Sequence, residues 1–182
     1  MPTYVALLRG VNVGKAKRLA MADFRALLGG LGYTDVKTLL NSGNAVFRAP
    51  GRSAGKIASD VAAALADELG LEVPVVVKTA AELEAAAREC TLAKKAKDPS
   101  RLLVAFTQDA TALRPLRRLG DLGGPGEELV VGKSAAFLHA PAGILKSRIG
   151  EALLGKAGPG VTTRNWATVQ KLVELARGGR VT

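Results

Sequence analysis

One order of short apolar and amphipathic runs occurs twice in this chain, and it limits the fold more than any single motif does. Residues 3–9, TYVALLR, read as a buried strand. Met21, Phe24, Leu27, Leu28 and Leu31 then recur at helical spacing, and Gly32 stops that helix. DVKTLL (35–40) and AVFRA (45–49) flank the turn residues NSGN and predict a hairpin. Ile57, Val61, Leu65 and Leu69 step by four up to Gly70, and VPVVVK (73–78) is a further strand. After a helix at 80–90 and the basic stretch LAKKAKDPSR, the order begins again. It runs through a strand at 101–106, a helix over 111–119, and a hairpin of ELVVG and SAAFLHA. A helix over 143–154 and a strand at 160–164 complete it. Asn165 is placed to cap a last helix carrying Trp166, Val169, Leu172 and Val173 on one face, with Gly178 and Gly179 at its end. A β-α-β-β-α-β order is that of the split βαβ, or ferredoxin-like, unit. The predicted class is therefore α+β, with two ferredoxin-like halves. The first is 1–79, the second lies within 100–182 with the C-terminal helix, and 80–99 supplies a linking helix and basic loop.

The stretch LLRGVNVGKAKR (7–18) has the look of a phosphate loop, and its spacing decides against one. A P-loop needs four residues between its glycines and a hydroxyl after the lysine, so that backbone N–H groups surround the phosphate and the hydroxyl holds Mg²⁺. Here Gly10 and Gly14 enclose three residues, and Ala16 stands in the hydroxyl position. The dinucleotide-binding spacing G-x-G-x-x-G is absent too. What survives is a simpler anion site, in which Arg9, Asn12, Lys15, Lys17 and Arg18 converge. The competing reading is a solvated connection whose glycines serve a turn.

Three stretches, LLRGVNVGKAKRLAM, NSGNAVF and TTRNWATVQKL, resemble the signatures of the bacterial domain-of-unknown-function family 1697, in order and at matching separations. The resemblance implies a duplicated ferredoxin-like α+β protein and no established activity. It singles out Arg9, Gly10, Asn12, Gly14, Ser42, Gly43, Asn44, Thr163, Arg164 and Asn165 as residues of the signatures. Two positions depart from the family pattern: Lys15 where a second glycine is usual, and Ala167 where an asparagine is usual.

The expected ligand site is a surface for a small anion or phosphate. It combines Arg9, Gly10, Asn12 and Gly14 with Ser42 and Asn44 of the hairpin turn and with Arg164 and Asn165 before the last helix. Local roles compete with it, because Asn41 to Asn44 suit a turn and Asn165 suits a cap. The net charge of +10 keeps a second reading open, a salt-sensitive RNA-binding module. Stacking recognition of bases needs aromatics, and only Tyr4, Phe47, Phe106 and Phe137 fall on predicted strands. The third reading is a structural or interaction domain without a ligand. No catalytic motif is recognisable. His139 lacks a sequence partner, Cys90 lacks a C-x-x-C mate, and Asp23, Asp35, Asp60 and Asp109 read as caps or surface charges. One cysteine and one histidine make a zinc site unexpected, and no cofactor is called for. The lone cysteine, with no secretory pattern and no apolar run long enough to span a bilayer, predicts a cytoplasmic protein away from membranes.

Overall fold

The computed structural model describes residues 1–155 and 160–180, which form an α+β protein with two four-stranded antiparallel sheets. The chain divides into two compact units. One comprises Met1–Ala81 and the residues from Glu174 onward, the other Glu82–Val173.

In the first unit β1 (Thr3–Leu8) leads through a long loop to α1 (Met21–Gly30). β2 (Thr34–Leu39), β3 (Asn44–Arg48), α2 (Ala54–Leu69) and β4 (Val75–Thr79) follow. The sheet order is β2-β3-β1-β4. Alternate strand residues Tyr4, Ala6, Leu8, Ala45, Phe47 and Val77 pack with Phe24 and Leu28 of α1 and Ile57, Val61 and Leu65 of α2. Period 2 on the strands therefore meets period 3.6 on the helices, as the apolar pattern requires. Phe47 stacks on Tyr33, with ring centroids 4.9 Å apart. α2 starts where Ser53 accepts a hydrogen bond from Lys56 N–H and stops at Gly70, which takes a left-handed φ of 65°. Such a stop costs glycine nothing.

The second unit opens with α3 (Ala80–Glu89), whose first two residues still belong to unit one. β5 (Leu102–Phe106), β6 (Glu128–Val131), β7 (Ala136–His139), α4 (Arg148–Leu154) and β8 (Thr162–Asn165) build a sheet ordered β6-β7-β5-β8. Counted within its own sheet, each unit has the same strand order, second-third-first-fourth. α5 (Trp166–Ala176) begins in the second unit and ends in the first.

Two predicted α-helices take another form. Residues expected as a helix over 111–119 form 3₁₀ turns at Ala110–Ala112 and Arg114–Leu122. Leu113, Leu116, Leu119 and Leu122 explain this. They recur every three residues and pack on the core of the unit. A 3₁₀ helix has 3.0 residues per turn, so only that form keeps all four in one row. The helix expected over 143–154 is broken at Ser147. A 3₁₀ turn at Ile144–Lys146 precedes α4, and the Ser147 hydroxyl accepts from Gly150 N–H to start the new helix. The strand predicted at 160–164 is β8, which spans Thr162–Asn165, and residues 156–159 before it lie outside the described residues.

Candidate functional site

The loop after β1 is organised around the side chain of Asn12. Asn12 takes φ 57°, a left-handed conformation that asparagine tolerates better than most residues. Its Nδ2 donates to the Leu19 carbonyl at 2.8 Å and to the Asn41 carbonyl at 2.6 Å. Its Oδ1 accepts from Leu19 N–H at 2.9 Å. Both amide hydrogens are thereby used on backbone carbonyls, one on each of two separate loops. Asn12 N–H also donates to the Lys17 carbonyl at 3.1 Å, which closes residues 12–17 into a compact loop. Gly10, Gly14 and Lys17 supply the other left-handed positions, with φ of 76°, 64° and 51°.

The hairpin turn is built onto the same place. Asn44, fully buried, donates to the Leu39 carbonyl and to Ser42 Oγ, both at 2.9 Å. Leu8 N–H donates to the Gly43 carbonyl at 2.8 Å. Gly43 has φ 87°, and a Cβ there would stand 2.7 Å from Leu8 Cβ and 2.9 Å from Val11 Cγ2. Glycine is therefore required both by dihedral and by space. The stretches RGVNVG and NSGN thus meet, through Asn12 with Asn41 and through Leu8 with Gly43.

The cations of this loop differ in their engagements. Lys17 Nζ donates to the Glu72 carbonyl at 2.8 Å and ties the loop to the approach to β4. Arg9 is half-buried, and its backbone N–H donates to the Pro74 carbonyl. Lys15 and Arg18 are exposed at the loop surface beside Val13, which is 72% exposed. Among the described residues neither has a hydrogen-bond or ion-pair partner. α1 begins only at Met21, with Ala20 in the cap position and no side-chain cap. Lys15 and Arg18 therefore lie on the loop before the helix and are not part of its first turn.

In the second unit Arg164 and Asn165 occupy the end of β8. Arg164 pairs with Val104 across the sheet and is 8% exposed. Its Nη1 donates to the Thr163 carbonyl at 2.8 Å, and burial pulls its guanidinium down to about 10. Asn165 Oδ1 accepts from Thr168 N–H at 2.9 Å and caps α5, the local role its position suggests. Thr162, on the same face as Arg164, has a buried hydroxyl with no hydrogen-bond partner among the described residues.

Three of the groups set aside in the sequence, Cys90, Asp60 and Asp35, have these surroundings. Cys90 is buried, and desolvation raises its thiol pKa. Asp60 pairs with Lys56 at 2.6 Å and Arg52 at 3.4 Å, and Asp35 pairs with Arg48 at 3.8 Å. Among the described residues no three His, Cys, Asp or Glu side chains gather as a metal site, and no helix is long and apolar enough to cross a membrane. The first unit also holds a cleft of about 370 Å³, lined by β2, β3 and the end of α5, which no motif announces. Its one signal was the interrupted alternation in TDVKT, where a bulge falls between Thr34 and Lys37.

A family model described as proteins of unknown function (DUF1697) matches residues 1–137, which include the first two signature stretches and end before the third. A solved structure of a conserved bacterial protein from Streptococcus pneumoniae is similar, with a TM-score of 0.80 at 22% identity, over 96% of this chain and 98% of that one. At that identity the likeness is one of fold. No curated protein matches the chain.

Proposed function

We propose that this chain, which belongs to the DUF1697 family of proteins of unknown function, is a binding protein for a small oxyanion, phosphate or carboxylate. The site is the pinned loop 9–20 of the first unit. One observation carries this reading: the Asn12 side chain fixes the loop at three backbone atoms, while Lys15 and Arg18 on the same loop remain unengaged. Fixing a cationic loop before the ligand arrives removes part of the ordering cost of binding. Lysine contributes a point charge and arginine a planar fork of donors. Arg9 flanks them, Gly10 and Gly14 let the backbone turn, and Ser42 and Asn44 shape the neighbouring turn. Asn12 and Asn44 are positioning residues, since their amides are committed to the chain. Arg164 and Asn165 act in the second unit, where they secure the strand-to-helix junction.

The same reading takes the two units as a duplicated ferredoxin-like fold. Its halves are 1–79 and the part of 100–182 before the last helix, with 80–99 as the link. The shared strand order supports this. A single free Cys90 suits a reducing cytoplasm.

The test compares wild type with Lys15→Gln/Arg18→Gln, using titration calorimetry with inorganic phosphate and sulfate. The expected result is loss of anion binding with an unchanged melting temperature in the absence of anion. Unchanged anion affinity in that variant would leave the loop as a turn, and the protein as a structural or interaction domain at this surface.

A further inference from the structure

We propose a second ligand site in the first unit, for a small organic anion with an apolar body, in the cleft beside the bulged edge strand. The cleft lies on the sheet face turned away from α1 and α2. Phe47 points into the helix-covered core, so Val46 and Arg48 take the opposite face, as do their strand partners Lys37 and Thr3. The residues Leu175–Gly178, at the end of α5, form the other wall. The volume of about 370 Å³ is within the range of small-molecule sites.

The lining has the composition such a ligand needs. Lys37, Arg48 and Arg177 bring three positive charges and Asp35 one negative charge, while Val46, Leu175 and Ala176 are apolar. The strand is bent to make this arrangement. Between Thr34 and Lys37, β2 has one residue more than β3, and Asp35 takes φ 51°. A bulge of this kind re-aims side chains, and a left-handed aspartate costs free energy that a plain edge strand would avoid. It brings Asp35 to Arg48 at 3.8 Å, a long contact between two exposed groups. Such a pair is weak and open to exchange. An incoming carboxylate or phosphate displaces Asp35 from Arg48 and takes the guanidinium fork, with Lys37 as a second contact. The apolar body rests on Ala176 and on the exposed edges of Val46 and Leu175.

The test uses the whole protein and three probes, benzoate, phenyl phosphate and inorganic phosphate. The two aromatic probes separate a carboxylate preference from a phosphate preference. Wild type is expected to bind at least one of them more tightly than inorganic phosphate. The Lys37→Gln/Arg48→Gln variant should lose about tenfold in that affinity at an unchanged melting temperature. Asp35→Asn should bind about two- to threefold more tightly, because the competing carboxylate is gone. Lys15→Gln/Arg18→Gln should lose the binding of inorganic phosphate and keep the tighter binding of the aromatic probe, which separates this site from the loop. Equal affinity in wild type and the Lys37/Arg48 variant, or no saturable binding of either aromatic probe up to about 10 mM, overturns the proposal.

Discussion

Asn12 and Gly43 are the two residues on which the candidate loop depends, and they work differently. Asn12 supplies hydrogen bonds to carbonyls of two loops. Its replacement by Ala leaves the Leu19 and Asn41 groups to find other partners in a partly buried place. Asn12→Ala should therefore lose about 2 kcal/mol of stability, with phosphate binding weakened in the same protein. Gly43 supplies space. Gly43→Ala meets both a left-handed φ and the Leu8 side chain, which its backbone neighbours hold in the core. The expected loss is about 2–3 kcal/mol in urea denaturation. A loss under about 0.5 kcal/mol would show that the turn relaxes freely. Asn12 was legible as a signature residue, but its task was not. The sequence placed it among ligand contacts, because nothing local announces that its amide will reach residue 41.

At the scale of elements, the segment Arg114–Leu122 shows how one period selects one helix type. Its leucines face the core in a row, while Arg114, Arg117 and Arg118 are exposed. Leu116→Ala should cost about 2–4 kcal/mol, and Arg117→Ala less than about 0.5 kcal/mol, by equilibrium unfolding. Similar losses for the two would contradict the packing. The start of α2 carries a pH dependence. The hydrogen bond from Lys56, with the charges of Lys56 and Arg52, holds the Asp60 carboxyl below its usual 3.8. A depressed folded value means that the charged form stabilises the fold. This contribution is full above about pH 4 and disappears as pH falls through the lower folded value. Wild type should thus melt above Asp60→Asn at neutral pH, and the two curves should converge under acid conditions. A constant gap across that range would count against the ion pair. Strands and α-helices with a clear 2 or 3.6 period were legible from the sequence. The 3₁₀ segments were misread as α because a three-residue leucine period also satisfies part of a helical pattern.

For the whole molecule, the net charge of +10 predicts attraction to any polyanion. The four aromatics on strands, Tyr4, Phe47, Phe106 and Phe137, are all buried, so they present no stacking platform. RNA binding, measured by fluorescence anisotropy, should fall steeply between about 50 and 200 mM salt and differ little among homopolymers. Sequence-selective binding that survives the higher salt would require a recognition surface not described above.

The sequence by itself determined the α+β class, the order of the strands, the hairpins and the failure of the P-loop spacing. Each of these depends on residues close together in the chain, where side-chain period, turn chemistry and spacing act directly. Tertiary structure decided which polar groups were already spent. Asn12 and Lys17 find backbone carbonyls on distant segments and Asn44 finds one across its own hairpin turn, while Lys15 and Arg18 do not. It also decided that Lys37 and Arg48 share a cleft with the end of α5. Burial and hydrogen-bond satisfaction are set by contacts remote in sequence, so the same asparagine or lysine reads alike in the chain whether it will hold a ligand or a loop.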